Sequence, residues 1–335
     1  EIDQIIVTGA RTPIELSQIG SATTVITRND IETRQARYVS DLLRAVPGFA
    51  ISHTGVVGSQ TQVRVRGSEA NHVLVLIDGV RANDPATGDE FRWEHLSTAN
   101  IERIEIIRGP QSALWGSDAI GAVVHVITRG EPGQRGVNVY AESGSNSTAN
   151  LGASGIAQLG DWSLSGNLES YSTDGENISR EGDELDGSDL ATGSLALRYA
   201  SANQVTFDAG LRVIDATSET DAIDFAVTGL PEDADLETRS DSVSGNIGGS
   251  FTAHQDRVTY RYAVRYFDSE HRNYADGVEG SSTAAERVSL LAQSDISLGD
   301  NQLSLALEHE DTDFQQRGLT AFGDPNQDPV SYTHL

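Results

Sequence analysis

The sequence predicts a small α+β domain over residues 14–130, followed by part of an antiparallel transmembrane β-barrel over residues 131–335, with residues 1–13 as a separate N-terminal segment. Two observations carry this expectation. Up to Arg129, short β-branched strands interleave with stretches of helical spacing, and glycines mark the turns between them. Beyond Gly130-Glu131-Pro132-Gly133 the chain repeats one unit: an alternating strand of about ten residues, a tight turn, another strand and a longer loop.

Composition narrows the class further. A formal net charge of -27 argues against a nucleic-acid partner, because phosphate binding needs a positive surface. All the formal positive charge is arginine, with no lysine, which is read as genomic base composition. There is no cysteine to form disulfides or act as a nucleophile. No apolar run approaches the roughly 20 residues of a membrane helix. Barrel strands escape that test, because only alternate residues face lipid.

Glu1 to Pro13 reads as an extended terminal segment, apolar at Ile5-Ile6-Val7. Thr23 to Ile26 reads as a strand, and Thr27-Arg28-Asn29-Asp30 as the capped start of a helix reaching about Ala36. Val39, Leu42, Leu43 and Val46 recur at helical spacing until Pro47-Gly48 stops them. Strands follow at Gln62–Gly67 and at Val73–Ile77, the latter turning at Asp78-Gly79. The domain closes with a strand over 104–108 ended by Gly109-Pro110, a short helical Ser112–Trp115, glycines at 116 and 121, and a strand over 123–128.

In the second part about nine strands are expected, near 136–143, 147–158, 161–171, 191–200, 203–214, 240–252, 257–268, 286–297 and 302–312. Short turns fall at Leu159-Gly160-Asp161, Ser201-Ala202-Asn203, His254-Gln255-Asp256 and Gly299-Asp300-Asn301, and long loops at 172–190, 215–239 and 269–285. This short-long alternation separates a membrane barrel from a soluble β-sandwich, whose two ends carry loops of similar length. In the strand over 257–268, Val258, Tyr260, Tyr262, Val264 and Tyr266 share one face, while Thr259, Arg261, Ala263 and Arg265 share the other. Nine strands leave two open edges that lipid does not tolerate, so the sequence is read as the N-terminal part of a longer protein, about 9 strands of a plugged barrel of about 22. Val330 to Leu335 carry no strand signal, and a sequencing or assembly artefact at this end is one reading of them.

The run from Ile101 to Arg129, IERIEIIRGPQSALWGSDAIGAVVHVITR, resembles the plug domain of TonB-dependent outer-membrane receptors. It departs from that family's usual pattern at Ala122, where a second glycine is common, and at His125, where asparagine is. The runs His72–Arg81 and Gly116–Gly121 are similar to the cobalamin branch of these receptors. The resemblance implies a plug followed by barrel, a place in the bacterial outer membrane in contact with its lipid, monomeric function, and active transport of a bulky nutrient. Asp3, Gln4, Ile5, Ile6, Val7 and Thr8 resemble the TonB box, the peptide offered to the energising TonB complex as an added strand.

By the same resemblance, ligand contact falls to two outward plug loops, 53–62 and 82–95, with His53, Gly58, Ser59, Asn83, Asp84, Thr87, Asp89, Phe91 and Trp93 as candidates. The aromatic pair supplies apolar contact surface, or else packs on the barrel wall. Arg66 and Arg108, each before a glycine at a strand end, correspond to family arginines that latch plug to barrel. Loops 172–190 and 215–239 are crowded with carboxylates, and cobalamin receptors hold calcium there. Asp186, Asp189, Asp215 and Asp221 are the corresponding candidates, and a solvated acidic face has the same composition.

No metalloprotease, nucleophile-elbow or phosphate-loop motif is present, so no catalytic role is assigned. Three functions fit: an energised importer of cobalamin or a related corrinoid, the same machine for a ferric siderophore, haem or another ligand, and a non-transporting surface receptor or adhesin.

Overall fold

The computed structural model describes residues 5–6, 14–16, 19–128, 135–179, 182–223, 228–254, 257–299, 301–318 and 326–334. Contacts divide the chain into two compact units: residues 1–129 with 173–189 and 218–237, and residues 130–172 with 190–217 and 238–335.

The first unit opens with a two-stranded antiparallel pair, β1 (Ile5–Ile6) against β2 (Ile14–Glu15). Next come β3 (Ala22–Thr27), α1 (Arg28–Arg34) and α2 (Val39–Leu43). Then follow β4 (Phe49–His53), β5 (Thr61–Val65), β6 (Val73–Ile77), β7 (Val80–Arg81), β8 (Arg103–Arg108), α3 (Ser112–Trp115) and β9 (Ala122–Ile127). Five strands form one sheet in the order β3-β8-β9-β6-β7, and β4 pairs with β5 as a separate hairpin. Only β6 and β9 run parallel in the five-stranded sheet.

Local chemistry explains these boundaries. Thr27 caps α1: its hydroxyl accepts from the Asp30 amide while the Asp30 carboxylate accepts from the Thr27 amide at 2.9 Å. The Thr27 hydroxyl, donating to the Asp30 carboxylate at 2.6 Å, and then the Thr27 amide hold that carboxyl below its ordinary pKa. Asp78 and Gly79 both adopt positive φ, 49° and 85°, and make the two-residue hairpin that creates β7. Gly121 must be glycine because a Cβ there would lie 2.6 Å from the Ser68 hydroxyl and 3.2 Å from the His72 carbonyl. Ala122, by contrast, is extended and fully buried in β9, so a second glycine is not required. The sequence reading omitted β4 and β7, one lacking clear alternation and the other only two residues long.

One face of the sheet presents Val73, Val75, Ile104, Ile106, Val124 and Val126 to a core shared with α1, α2 and Trp93. The opposite face carries Leu74, Leu76 and Val123 with Ala119. On that face Glu105 is completely buried, 3.0 Å from Arg103 Nε and 3.9 Å from His125 Nδ1. Burial of a carboxylate is tolerable only with such partners.

The rest of the chain forms a ten-stranded antiparallel sheet in sequence order. Its strands are β10 (Gly136–Ser143), β11 (Ala149–Leu159), β12 (Trp162–Glu176), β13 (Asp186–Ala200), β14 (Val205–Ile223), β15 (Pro231–Ala253), β16 (Val258–Ala275), β17 (Val278–Leu298), β18 (Asn301–Gly318) and β19 (Asn326–His334). All nine expected strands are present. The tenth, β19, includes most of 330–335, which had been assigned no strand, and it pairs along β18.

The long loops contract because the strands run on past the point where alternation fades. Loop 269–285 is reduced to Asp276-Gly277, both at positive φ, a turn the Asp-Gly pair announces in the sequence. Strands β14 to β18 reach 18 to 23 residues, whereas about 9–11 suffice to cross a bilayer. Apart from Ile223 and Val278, the large exposed apolar residues on them cluster near the short turns: Val205, Leu211 and Val213; Val243, Ile247 and Phe251; Tyr262, Val264 and Tyr266; Leu290 and Leu298; Leu303, Leu305 and Leu307. The other halves carry polar residues on both faces, so alternation could not reveal them.

Aromatic pairs Trp162–Tyr199 and Phe251–Tyr260, with centroids 4.9 and 5.1 Å apart, sit at the short-turn ends, as in the aromatic girdle at a membrane interface. The opposite face carries ion pairs: Arg261–Asp295 at 2.8 Å, Arg265–Glu308 at 3.3 Å and Arg287–Glu310 at 3.5 Å.

Candidate functional site

The β4–β5 hairpin holds the first candidate loop. Ser59 is buried, and its hydroxyl accepts from the Gly55 amide and donates to the Val56 carbonyl, closing the tip. Glu94 is also buried and accepts from the Thr61 amide at 3.0 Å, with Arg92 at 3.2 Å from its other oxygen. Burial nevertheless raises its carboxyl pKa. His53 remains exposed, bonded through Nδ1 to the Thr61 hydroxyl at 2.8 Å and facing Arg44. Partial burial, and then the Arg44 charge, lower its pKa.

Gly58 has φ +93°, and a Cβ there would overlap the Ser188 side chain. The loop therefore approaches the start of β13 within the same compact unit.

The second loop is placed differently from expectation. Trp93 is 2% exposed and lies in the main core, edge-on to Phe91 at 4.9 Å, so it anchors the loop instead of offering contact surface. Asn83 is fully buried: its Oδ1 accepts from the Val75 amide at 2.7 Å, and its amide donates to the carbonyls of Val73 and Asp89 at 2.9 Å each. Asp84 is buried and caps the turn Pro85–Thr87 through the Ala86 amide at 2.8 Å. Thr87 bonds the carbonyls of Asp84 and Glu90, and Asp89 faces Arg81 at 3.5 Å. Asn83, Asp84, Ser59 and Trp93 hold the loops in shape, leaving His53 and the loop tips as the exposed candidates. Small polar residues in a loop look alike in sequence whether they face solvent or tie the backbone together.

The same compact unit contains the strand ends 173–189 and 218–237, which lie beyond the apolar band. The first holds seven acidic residues and one arginine, and the second holds seven acidic residues and no basic one. Carboxylate oxygens of Glu184, Asp221 and Asp233 come within 4.8 Å of one another. Asp186, 3% exposed, borders this group; Asp221 Oδ1 accepts from the Ala234 amide at 3.1 Å, and Glu219 accepts from the Gly187 amide at 2.8 Å. Among the described residues, Asp186 Oδ2 and Asp221 Oδ2 are buried without a hydrogen-bond partner. Hard oxygen donors so arranged could hold a divalent cation. The structure brings Asp186 and Asp221 together. Asp189 is exposed on the opposite face of β13, and Asp215 shares the outward face of β14 with Leu211 and Val213. Glu184 and Asp233 were missed because they come from different loops.

Burial, reinforced by Asp221, pushes the Asp186 carboxyl up to about 6, and burial beside Asp235 and Asp233 raises that of Glu184. A folded-state value above the unfolded one means that the native protein binds the extra proton, so stability falls as pH rises from about 4 to about 6. The loss is on the order of 2–3 kcal/mol. Melting temperatures of the wild type and D186N across this range should differ in slope, the variant being flatter. Parallel curves would show that Asp186 is not the group responsible.

Comparison with known proteins identifies the first part of the chain. Residues 15–123 match the TonB-dependent Receptor Plug Domain family. Solved structures agree over the whole fold. The siderophore receptor PiuA from Acinetobacter baumannii matches with a TM-score of 0.74 at 13% identity, covering 100% of this chain and 55% of that one. The ferric-catecholate import receptor Fiu from E. coli K12 matches at 0.73 and 14% identity, covering 98% and 51%. BauA, the ferric preacinetobactin receptor from Acinetobacter baumannii, matches at 0.70 and 16% identity, covering 99% and 53%. The chain thus spans about half the length of the structures it matches, and the sheet after the plug has the fold of their barrels.

Within the plug, Arg108 binds plug groups: its guanidinium donates to the carbonyl of Pro47 at 2.9 Å, the Thr24 hydroxyl at 3.0 Å and the carbonyl of Ala22 at 3.4 Å. Arg66 sits at φ 53°, its amide bonded to the Gly48 carbonyl at 2.8 Å. These bonds make Arg108 a clamp between β3, β8 and the turn after α2. Of the TonB-box residues, Ile5 and Ile6 form β1, while Asp3, Gln4, Val7 and Thr8 lie outside the described residues.

Proposed function

We propose that this chain belongs to an energised importer of the bacterial outer membrane, carrying a bulky metal chelate of the ferric-siderophore kind. The observation that carries this reading is a plug domain joined to barrel strands, in a fold shared with receptors named for siderophores. A corrinoid cargo, which the runs around His72–Arg81 and Gly116–Gly121 brought forward, has no support among those folds and is the second reading. Energy would enter through residues 3–8, whose resemblance to the TonB box fits them for strand addition by TonB.

Deleting residues 3–8 from the full-length protein is expected to stop accumulation of cargo by cells while leaving surface binding intact. Uptake that continues undiminished would refute energised transport. Growth on a panel of ferric chelates or on cyanocobalamin as the limiting nutrient separates the two cargo classes.

A further inference from the structure

We propose that the cargo of this receptor presents positive charge to the group formed by Glu184, Asp186, Asp221 and Asp233, and that anionic chelates are excluded. The inference rests on the importer reading and adds a substrate class to it.

Among the described residues, strand ends 173–189 and 218–237, in the compact unit that also contains the plug, bring together twelve acidic residues and no basic one. Nearby loop 53–62 has no acidic or basic residue besides His53, and loop 82–95 adds Asp84, Asp89, Glu90 and Glu94 against Arg92 and His95. A multiply anionic chelate entering such a region meets an excess of like charge within a Debye length of about 8 Å, with few basic side chains to offset its lost hydration.

Crowded acids alone could be a solvated face. The second observation is the state of Asp186, which is 3% exposed, with Oδ2 shut away from water and unbonded, beside Asp221, whose Oδ2 is in the same condition. Both carboxylates use one oxygen structurally, on the amides of Ile178 and Ala234. A carboxylate oxygen buried without a donor costs free energy that a cationic partner returns. The backbone holds these groups in place: Gly187 donates to Glu219, and Asn177 reaches both Asp233 Oδ1 at 3.4 Å and the Gly182 carbonyl at 3.2 Å. Two sources of the charge share this chemistry, an ammonium or amidinium group on the cargo and a free divalent metal ion.

The experiment uses the full-length protein in detergent and follows binding by calorimetry. Hexaamminecobalt(III), an inert cation that offers N–H donors and no open coordination position, stands in for a cationic cargo, and hexacyanoferrate(III) for an anionic one. The cobalt complex is expected to bind and the cyanide complex not to. D186N/D221N should weaken cobalt binding by at least about tenfold, while the surface control D161N leaves it unchanged. Retained folding of the double variant is checked by its heat-dependent migration in gels, and D186N alone serves if the pair does not fold. Equal binding of the two probes, or cobalt binding indifferent to the variants, overturns the proposal. Titration with saturating calcium separates the sources: cobalt binding that survives calcium supports a cationic cargo, and its complete loss assigns the site to the free metal and overturns the cargo claim. Because binding needs no energy input, undiminished uptake in the deletion strain would sink the importer reading without touching this one.

Discussion

Trp93→Ala is expected to destabilise the plug by about 3–5 kcal/mol, because the indole is 2% exposed in the main core and its removal leaves a cavity that the sheet cannot collapse to fill. Phe91, packed edge-on against it, loses its partner too. The measurement is native-state hydrogen exchange of the full-length protein, read at the amides of β6 and β9, whose side chains Val73, Val75, Val124 and Val126 line the same core. Faster exchange at these amides is the predicted result. If Trp93 were ligand surface, exchange would be unchanged and only binding would fall.

Asn83→Ala should cost about 2–4 kcal/mol, since one truncation strands three buried backbone groups: the amide of Val75 and the carbonyls of Val73 and Asp89. The Val75 amide is the diagnostic probe. It should exchange far faster in the variant, and limited proteolysis should open the segment 84–92. An unchanged Val75 amide would show that water or a shifted neighbour replaces Asn83.

These two residues show where sequence reading reached its limit. The plug elements were legible because each strand and helix carries its own signal: the Thr27–Asp30 cap, the Pro47-Gly48 stop, the Asp78-Gly79 hairpin. Barrel strands were legible near their short turns, where lipid imposes alternation, and illegible beyond the apolar band, where both faces are polar. The Asp276-Gly277 turn was a readable signal that the polar flanks obscured. The site was harder, because Asn83, Asp84 and Trp93 differ from ligand residues only in burial, which depends on contacts with β6 and with the helices. Grouping Glu184 with Asp221 and Asp233 required the return of the chain from β13 to β15.

The pairing of Ile5–Ile6 with Ile14–Glu15 sets the condition that any strand added to the N-terminal segment would have to meet. A segment already engaged in a ladder cannot simply be captured; an incoming strand must displace the resident one. The displaced ladder is only two residues long, and each of its hydrogen bonds is worth about 1 kcal/mol net. The exchange is therefore nearly isoenergetic and readily reversible. A partner offering even a few more paired residues would win, and on release the segment would return to its resting hairpin without being refolded.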